Sequence, residues 1–261
     1  MRTFRTRGMA AAATAGSIVV AVLLSSTGTG AQAAPVQYRQ LDGAGLIGVL
    51  PSVQEAPPWL GQVTEGYVKS VVPTEGMLIC TVGSGDLQLS DDEAEIRGVQ
   101  AGLAAVSFTQ FGRFPSDGYS TMIARISQFP SAAAAQAAWA KLLVTSKKCA
   151  GSWTLPYPAE DDTLNGRQSV RQTVGLGDGL FGSRSLVITG VVSSKRAGAG
   201  SPDRTGGLLS VWRHVGNAIY VVSFSKSVQR DVRSAVSVAD RATINAVSAL
   251  IGERYIAVAA G

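Results

Sequence analysis

His214 is the single histidine of this 261-residue chain, so any Ser-His-Asp or Cys-His nucleophile would have to be built on it. A hydrolase of the common α/β type also needs a G-x-S-x-G elbow, and none is present; "VGSGD" around Ser84 has the wrong spacing. His214 falls near the end of an alternating stretch, on the same side as Trp212, which suits a surface or hydrogen-bonded structural histidine. A carboxylate pair for glycoside hydrolysis forms in space rather than in sequence, and nothing in the residue order favours one. The expectation is a protein with no catalytic residues.

Metal and cofactor motifs fare no better. Cys80, Cys149 and His214 fall short of the four ligands of a structural zinc site. "DDTLNG" from Asp161 places Asp161, Asn165 and Gly166 as half a calcium loop, but Thr163 and Gln172 stand where further ligands belong. "GDGLFG" from Gly177 to Gly182 matches G-x-G-x-x-G, yet the residues after it read as a strand, whereas a dinucleotide loop must open a helix. Gly175, Gly177 and Gly179 then read as turn residues. No metal and no cofactor are expected.

The first 33 residues bear on the partners. Arg2, Arg5 and Arg7 precede the apolar run Ile18 to Leu24, and "AQA" ends at Ala33, the pattern of a secretory signal peptide cleaved near Ala33. No later segment is apolar for the roughly 20 residues that a membrane helix needs. The expected mature protein, residues 34–261, is secreted, with loose retention in the envelope as the alternative. Three of the 23 basic residues leave with the leader, so 20 face 18 acidic ones and no basic face for nucleic acid is implied. Basic residues concentrate after Gly166, 12 against 5 acidic, either as an anion-attracting surface or cancelled in space by the acidic first half.

Export also explains the cysteines. Two in an exported chain predict one disulfide, Cys80 to Cys149, closing a loop of roughly 70 residues. Two separate thiols are the alternative. Trp153, Tyr157 and Trp212, with His214, are candidates for the wall of a ligand-binding cleft, against the competing role of filling the core. The Gly/Ser-rich stretch Ser193–Gly207 carries Lys195, Arg196 and Arg204 and reads first as a connection between strands.

The elements that must position these residues are legible in part. "FPSAAAAQAAWAKLLVTSKKCAG" predicts a helix capped by Ser131, with Ala135, Trp139, Leu142 and Leu143 on one face and Cys149 at its end. "SDDE" at Ser90 fits a capping box opening a short helix to about Gln100. "AAVSFTQF", "YSTMIARISQF", "SVRQTV", "SLVITGVV", "LLSVWRHV" and "AIYVVSFS" read as strands. In the second, Met122, Ala124 and Ile126 fall on one side and Ile123, Arg125 and Ser127 on the other. Gly216 and Asn217 join the last two strands in a tight hairpin. A final helix is expected from about Gln229 to Leu250, ended by Gly252, with Val232, Val236, Ala239, Val247 and Leu250 apolar. Short connections make the class α+β, a mostly antiparallel sheet with helices packed on it, in one domain.

"FPSA" followed by an alanine-rich helix and W…C in Phe129–Cys149, the hairpin with "GNAIYVVSFS", a terminal helix, and "VGLGDG" at Val174 to Gly179 together resemble the PknH-like extracellular sensor domains of actinobacteria. That resemblance, over roughly Leu46 to Ile251, implies an α/β fold with a cleft, a non-catalytic binding or sensing role and bracing disulfides. Members of that family commonly carry a second cysteine pair flanking the hairpin; this chain has none there. The expected function is an exported sensor-like binding domain for an unknown small molecule, lipid or envelope component. The rivals are a hydrolase of an envelope polymer and a structural or host-facing interaction module.

Overall fold

In the computed structural model, residues 36–55, 96, 100–111, 119–156, 167–195, 204–228 and 236–260 are described. Seven strands form one sheet: β1 Gly102–Phe111, β2 Tyr119–Gln128, β3 Gly151–Pro156, β4 Arg167–Leu180, β5 Ser183–Lys195, β6 Arg204–Val215 and β7 Ala218–Val228. Their spatial order is β1-β2-β7-β6-β5-β4-β3, and every pairing is antiparallel. The chain leaves β2 through helix α2 (Ala132–Thr145), enters the far edge at β3, and returns as a meander until β7 lies against β2. A strand from the acidic half therefore pairs directly with one from the basic half, and the two halves interleave in one sheet.

Helices cover both faces. In β2, Met122, Ala124 and Ile126 have no solvent exposure and point toward α1 (Gly43–Val49) and α3 (Val238–Ala259). Leu46, Val49, Ile244, Val247, Ile251 and Tyr255 meet them from the helices. The opposite face packs on α2, whose Ala135, Ala138, Trp139 and Leu142 are buried against Leu186, Ile188, Trp212 and Ile219. Period-2 alternation in β6 and β7 thus feeds two separate cores.

The ends of these elements follow local chemistry. The Ser131 Oγ accepts from the Ala134 N–H at 3.1 Å, which caps α2. A 3-10 turn, Ser146–Cys149, then carries Lys147 and Lys148 and buries Cys149 completely. Helix α3 begins later than its sequence pattern suggests: a capping box between Ser237 and Asp240 starts it at Val238. It also runs through Gly252 to Ala259, because Gly252 lies at a close crossing and not at a cap. Val232 lies outside the described residues, and Val236 is buried just ahead of the helix.

The glycine cluster needs the same kind of correction. Gly175, Gly177 and Gly179 sit inside β4, where the register slips between Leu176 and Gly179, and the turn itself is Phe181 and Gly182. Both of those residues have positive φ, 54° and 79°, the pattern of a primed two-residue hairpin. The hairpin at Gly216 and Asn217 forms as expected. Gly216 has φ 54°, and a Cβ there would fall 2.5 Å from the Tyr38 ring. Ile96 is helical and buried, the described part of the short helix expected before Gln100; "SDDE" itself lies outside the described residues.

The N-terminal segment is laced to the end of the chain. Tyr38 bridges Ala260 and stacks on Tyr255 with ring centroids 6.3 Å apart. Behind that stack, Gln128 Nε2 donates to Tyr255 Oη, which donates to Asn217 Oδ1, both at 2.5 Å. Asn217 Nδ2 in turn donates to the Phe129 carbonyl at 3.3 Å. These buried polar groups satisfy one another, as a low-dielectric site demands.

Candidate functional site

Beside α2, the sheet face formed by β2, β7 and β6 opens into a groove with a cavity of about 180 Å3. Register sets its pattern. Thr121, Ile123, Arg125 and Ser127 alternate along β2, facing Ser225, Ser223, Val221 and Ile219 of β7. Across β7 the next strand offers Leu208 and Trp212. One cross-strand row therefore reads Arg125, Val221, Trp212, with Ile123 and Ser223 in the row beside it.

The two ends of that row are donors. Arg125 is half-buried and has no hydrogen bond or ion pair with any other described residue. It lines the groove, the position of an amphipathic side chain with an apolar stem and a charged head. Trp212 is 1% exposed, and its buried Nε1–H has no acceptor among the described residues. Orphaned buried donors are rare because each costs about 1–3 kcal/mol. The hydroxyls nearby are partly engaged: Ser223 shares a 2.9 Å hydrogen bond with Ser210, and Ser127 accepts from Gln100 Nε2 at 3.3 Å.

The residues singled out from sequence do not all converge. Trp212 lines the groove. His214 lies two residues along the same strand and face, outside the groove lining, stacked on Trp139 with centroids 6.2 Å apart. Burial lowers the His214 pKa from its ordinary value, and the hydrogen bond to the Gly216 backbone works the other way. Among the described residues its ring meets no carboxylate or serine hydroxyl; Ser183 Oγ donates to the His214 backbone carbonyl instead. Trp153 is on β3, paired with Val170 at the far edge of the sheet, separated from β6 by β4 and β5. Tyr157, Cys80 and the Asp161 loop lie outside the described residues, as does residue range 196–203 of the basic loop. Sequence reasoning placed Ile123 and Arg125 on the second face of their strand but did not read them as a site. The signal was available: an arginine alternating with isoleucine where the opposite face is wholly apolar.

Among the described residues no group of three His, Cys, Asp or Glu is gathered to hold a metal ion, and no helix is long and apolar enough to cross a membrane. The fold and groove define an α+β domain with helices on both faces of an antiparallel sheet and a small, mostly apolar, donor-edged recess. No family model matches the chain, and no curated protein matches its sequence. Among solved structures, it is similar to the crystal structure of the extracellular domain of PknH from Mycobacterium tuberculosis. The TM-score is 0.48 and the identity 13%, over 84% of this chain and 98% of that one.

Proposed function

We propose that this protein is an exported, non-catalytic binding domain that takes its ligand in the groove on the sheet face of β2, β7 and β6. The observation that supports it is the pairing of an apolar recess with Arg125, a cation that has no partner among the described residues. Small-molecule sites have this composition: apolar walls with a few placed polar groups. Two further parts of the proposal come from the sequence. Residues 1–33 are a cleaved secretory leader, and Cys149 is joined to Cys80, holding the end of α2; the complete burial of Cys149 fits that role. The PknH-like sensor assignment rests on the motifs in Phe129–Cys149 and Gly216–Ser225.

The test is a chemically mixed fragment library titrated into the mature chain and followed by methyl NMR. Binders should shift Ile123, Val221 and Leu208 together, and Ser223→Trp, which fills the recess, should abolish those shifts. Binders that perturb only other surfaces would refute the groove as the site.

The interaction-module reading has one observation in its favour. Leu176 and Leu180 stand 50% and 37% exposed on β4 beside the β4–β5 turn.

A further inference from the structure

We infer that the occupant of the groove is a single-chain alkyl carboxylate, its carboxylate held by Arg125 and its hydrocarbon on Ile123, Val221 and Leu208. This inference rests on the groove being the binding site and adds the ligand's chemistry. Three features select that chemistry. Arg125 supplies one positive charge that no described carboxylate neutralises, so the complementary ligand carries one negative charge. A guanidinium pairs best with a planar two-oxygen anion, which it can hold through two parallel N–H···O bonds. A carboxylate supplies those two oxygens. The rest of the recess is chiefly hydrocarbon, and its 180 Å3 is below the roughly 300–1,000 Å3 of drug-sized sites. That size admits one short chain and excludes a diacyl body. The hydroxyls of Ser223 and Ser127 are already engaged with Ser210 and Gln100, which weakens the case for a polyhydroxyl ligand.

The test uses the mature full chain and titration calorimetry with octanoate, 1-octanol and octylamine. Octanoate should bind at least tenfold more tightly than 1-octanol, and octylamine should bind most weakly. Arg125→Gln should weaken octanoate at least tenfold while changing 1-octanol less than twofold, which a general loss of folding would not do. Arg125→Lys, keeping the charge, should retain the preference for octanoate over 1-octanol. Equal binding of octanoate and 1-octanol by the native protein would overturn the carboxylate assignment and leave the groove standing as an apolar site. If fragments of another class shift Ile123 and Val221 while octanoate does not bind, the ligand chemistry is wrong and the site is right. If nothing binds the groove, both fail. Co-sedimentation with anionic phospholipid vesicles in place of octanoate binding would also overturn the inference.

Discussion

Gly252 of α3 passes so close to Phe181, at the tip of the β4–β5 hairpin, that a Cβ built on the glycine would sit 2.2 Å from Phe181 Cε2. Phe181 occupies the left-handed region at φ 54°, a conformation that costs a non-glycine residue roughly 1–2 kcal/mol. The hairpin thus accepts backbone strain, and the ring packs at the edge of the core under α3.

Gly252→Ala should therefore destabilise the protein although alanine is the better helix former. The same Cβ would fall 2.5 Å from the hydroxyl of the fully buried Tyr220, so neither neighbour can yield cheaply. Overpacking of this kind costs about 1–3 kcal/mol, against a propensity gain of about 1 kcal/mol. Thermal denaturation should show a fall in Tm of several degrees, and Phe181→Gly in the same chain should recover part of it. An unchanged Tm would mean the helix and hairpin separate freely.

Tyr255→Phe should remove the centre of the Gln128–Tyr255–Asn217 chain of hydrogen bonds, leaving a buried donor and acceptor unpaired. Burial pushes the Tyr255 pKa up to about 12, so the hydroxyl stays neutral across the working range. The expected loss is about 1–3 kcal/mol in denaturant unfolding, with the m-value unchanged. A loss below about 0.5 kcal/mol would show that water replaces the hydroxyl.

Glu55 gives an acid-dependent contribution. Its hydrogen bonds from Arg254 and from the Ser52 backbone, the Arg254 bonds being the larger cause, lower its pKa to about 2. A depressed carboxylate pKa stabilises the fold above the unfolded value near 4.3 and loses that contribution as pH falls toward 2. Both side chains are about one-third exposed, 33% and 31%, so solvent screening limits the pair to about 1 kcal/mol or less. Glu55→Gln should lower Tm above pH 5 and have no effect near pH 2; a pH-independent difference would contradict this.

His214 acts in a different window. Its folded pKa lies below the unfolded value near 6.5, so the unfolded chain binds the proton more readily and stability falls as pH drops below about 6.5. Being the only histidine, it gives a single ring Hε1 resonance to titrate. The midpoint should lie below 6.5, and His214→Gln should flatten stability between pH 6.5 and that midpoint. A midpoint at or above 6.5 would show that the ring is not desolvated against Trp139.

The protein isolated without reductant should show no free thiol and yield a Cys80–Cys149 cross-linked peptide on digestion. Replacing both cysteines by serine should cost up to about 4 kcal/mol, the chain-entropy value for a loop of roughly 70 residues. Two titratable thiols in the native chain would remove the bridge.

Much of the fold was legible because local patterns and their tertiary outcome agree. Ser131 caps α2, Trp139 and Leu142 bury its predicted face, and the Gly216–Asn217 turn joins β6 to β7, each set by residues within a few positions. The terminal helix misled, since its start depended on the Ser237–Asp240 capping box and its end ignored a glycine that serves a contact with Phe181. The glycines of β4 misled for a similar reason: their role came from neighbouring strands, as at Gly177, where a Cβ would fall 2.6 Å from Ser185 Oγ.

By itself, the sequence determined six of the seven strands, the helix at Ser131, the two sides of β2 and the α+β class, because alternation and capping act over a few residues. Only the tertiary structure decided that β7 lies beside β2, and with it that Arg125, Val221 and Trp212 share a row. No local pattern specifies which strand arrives next to which after a long meander, and the groove exists only through that pairing.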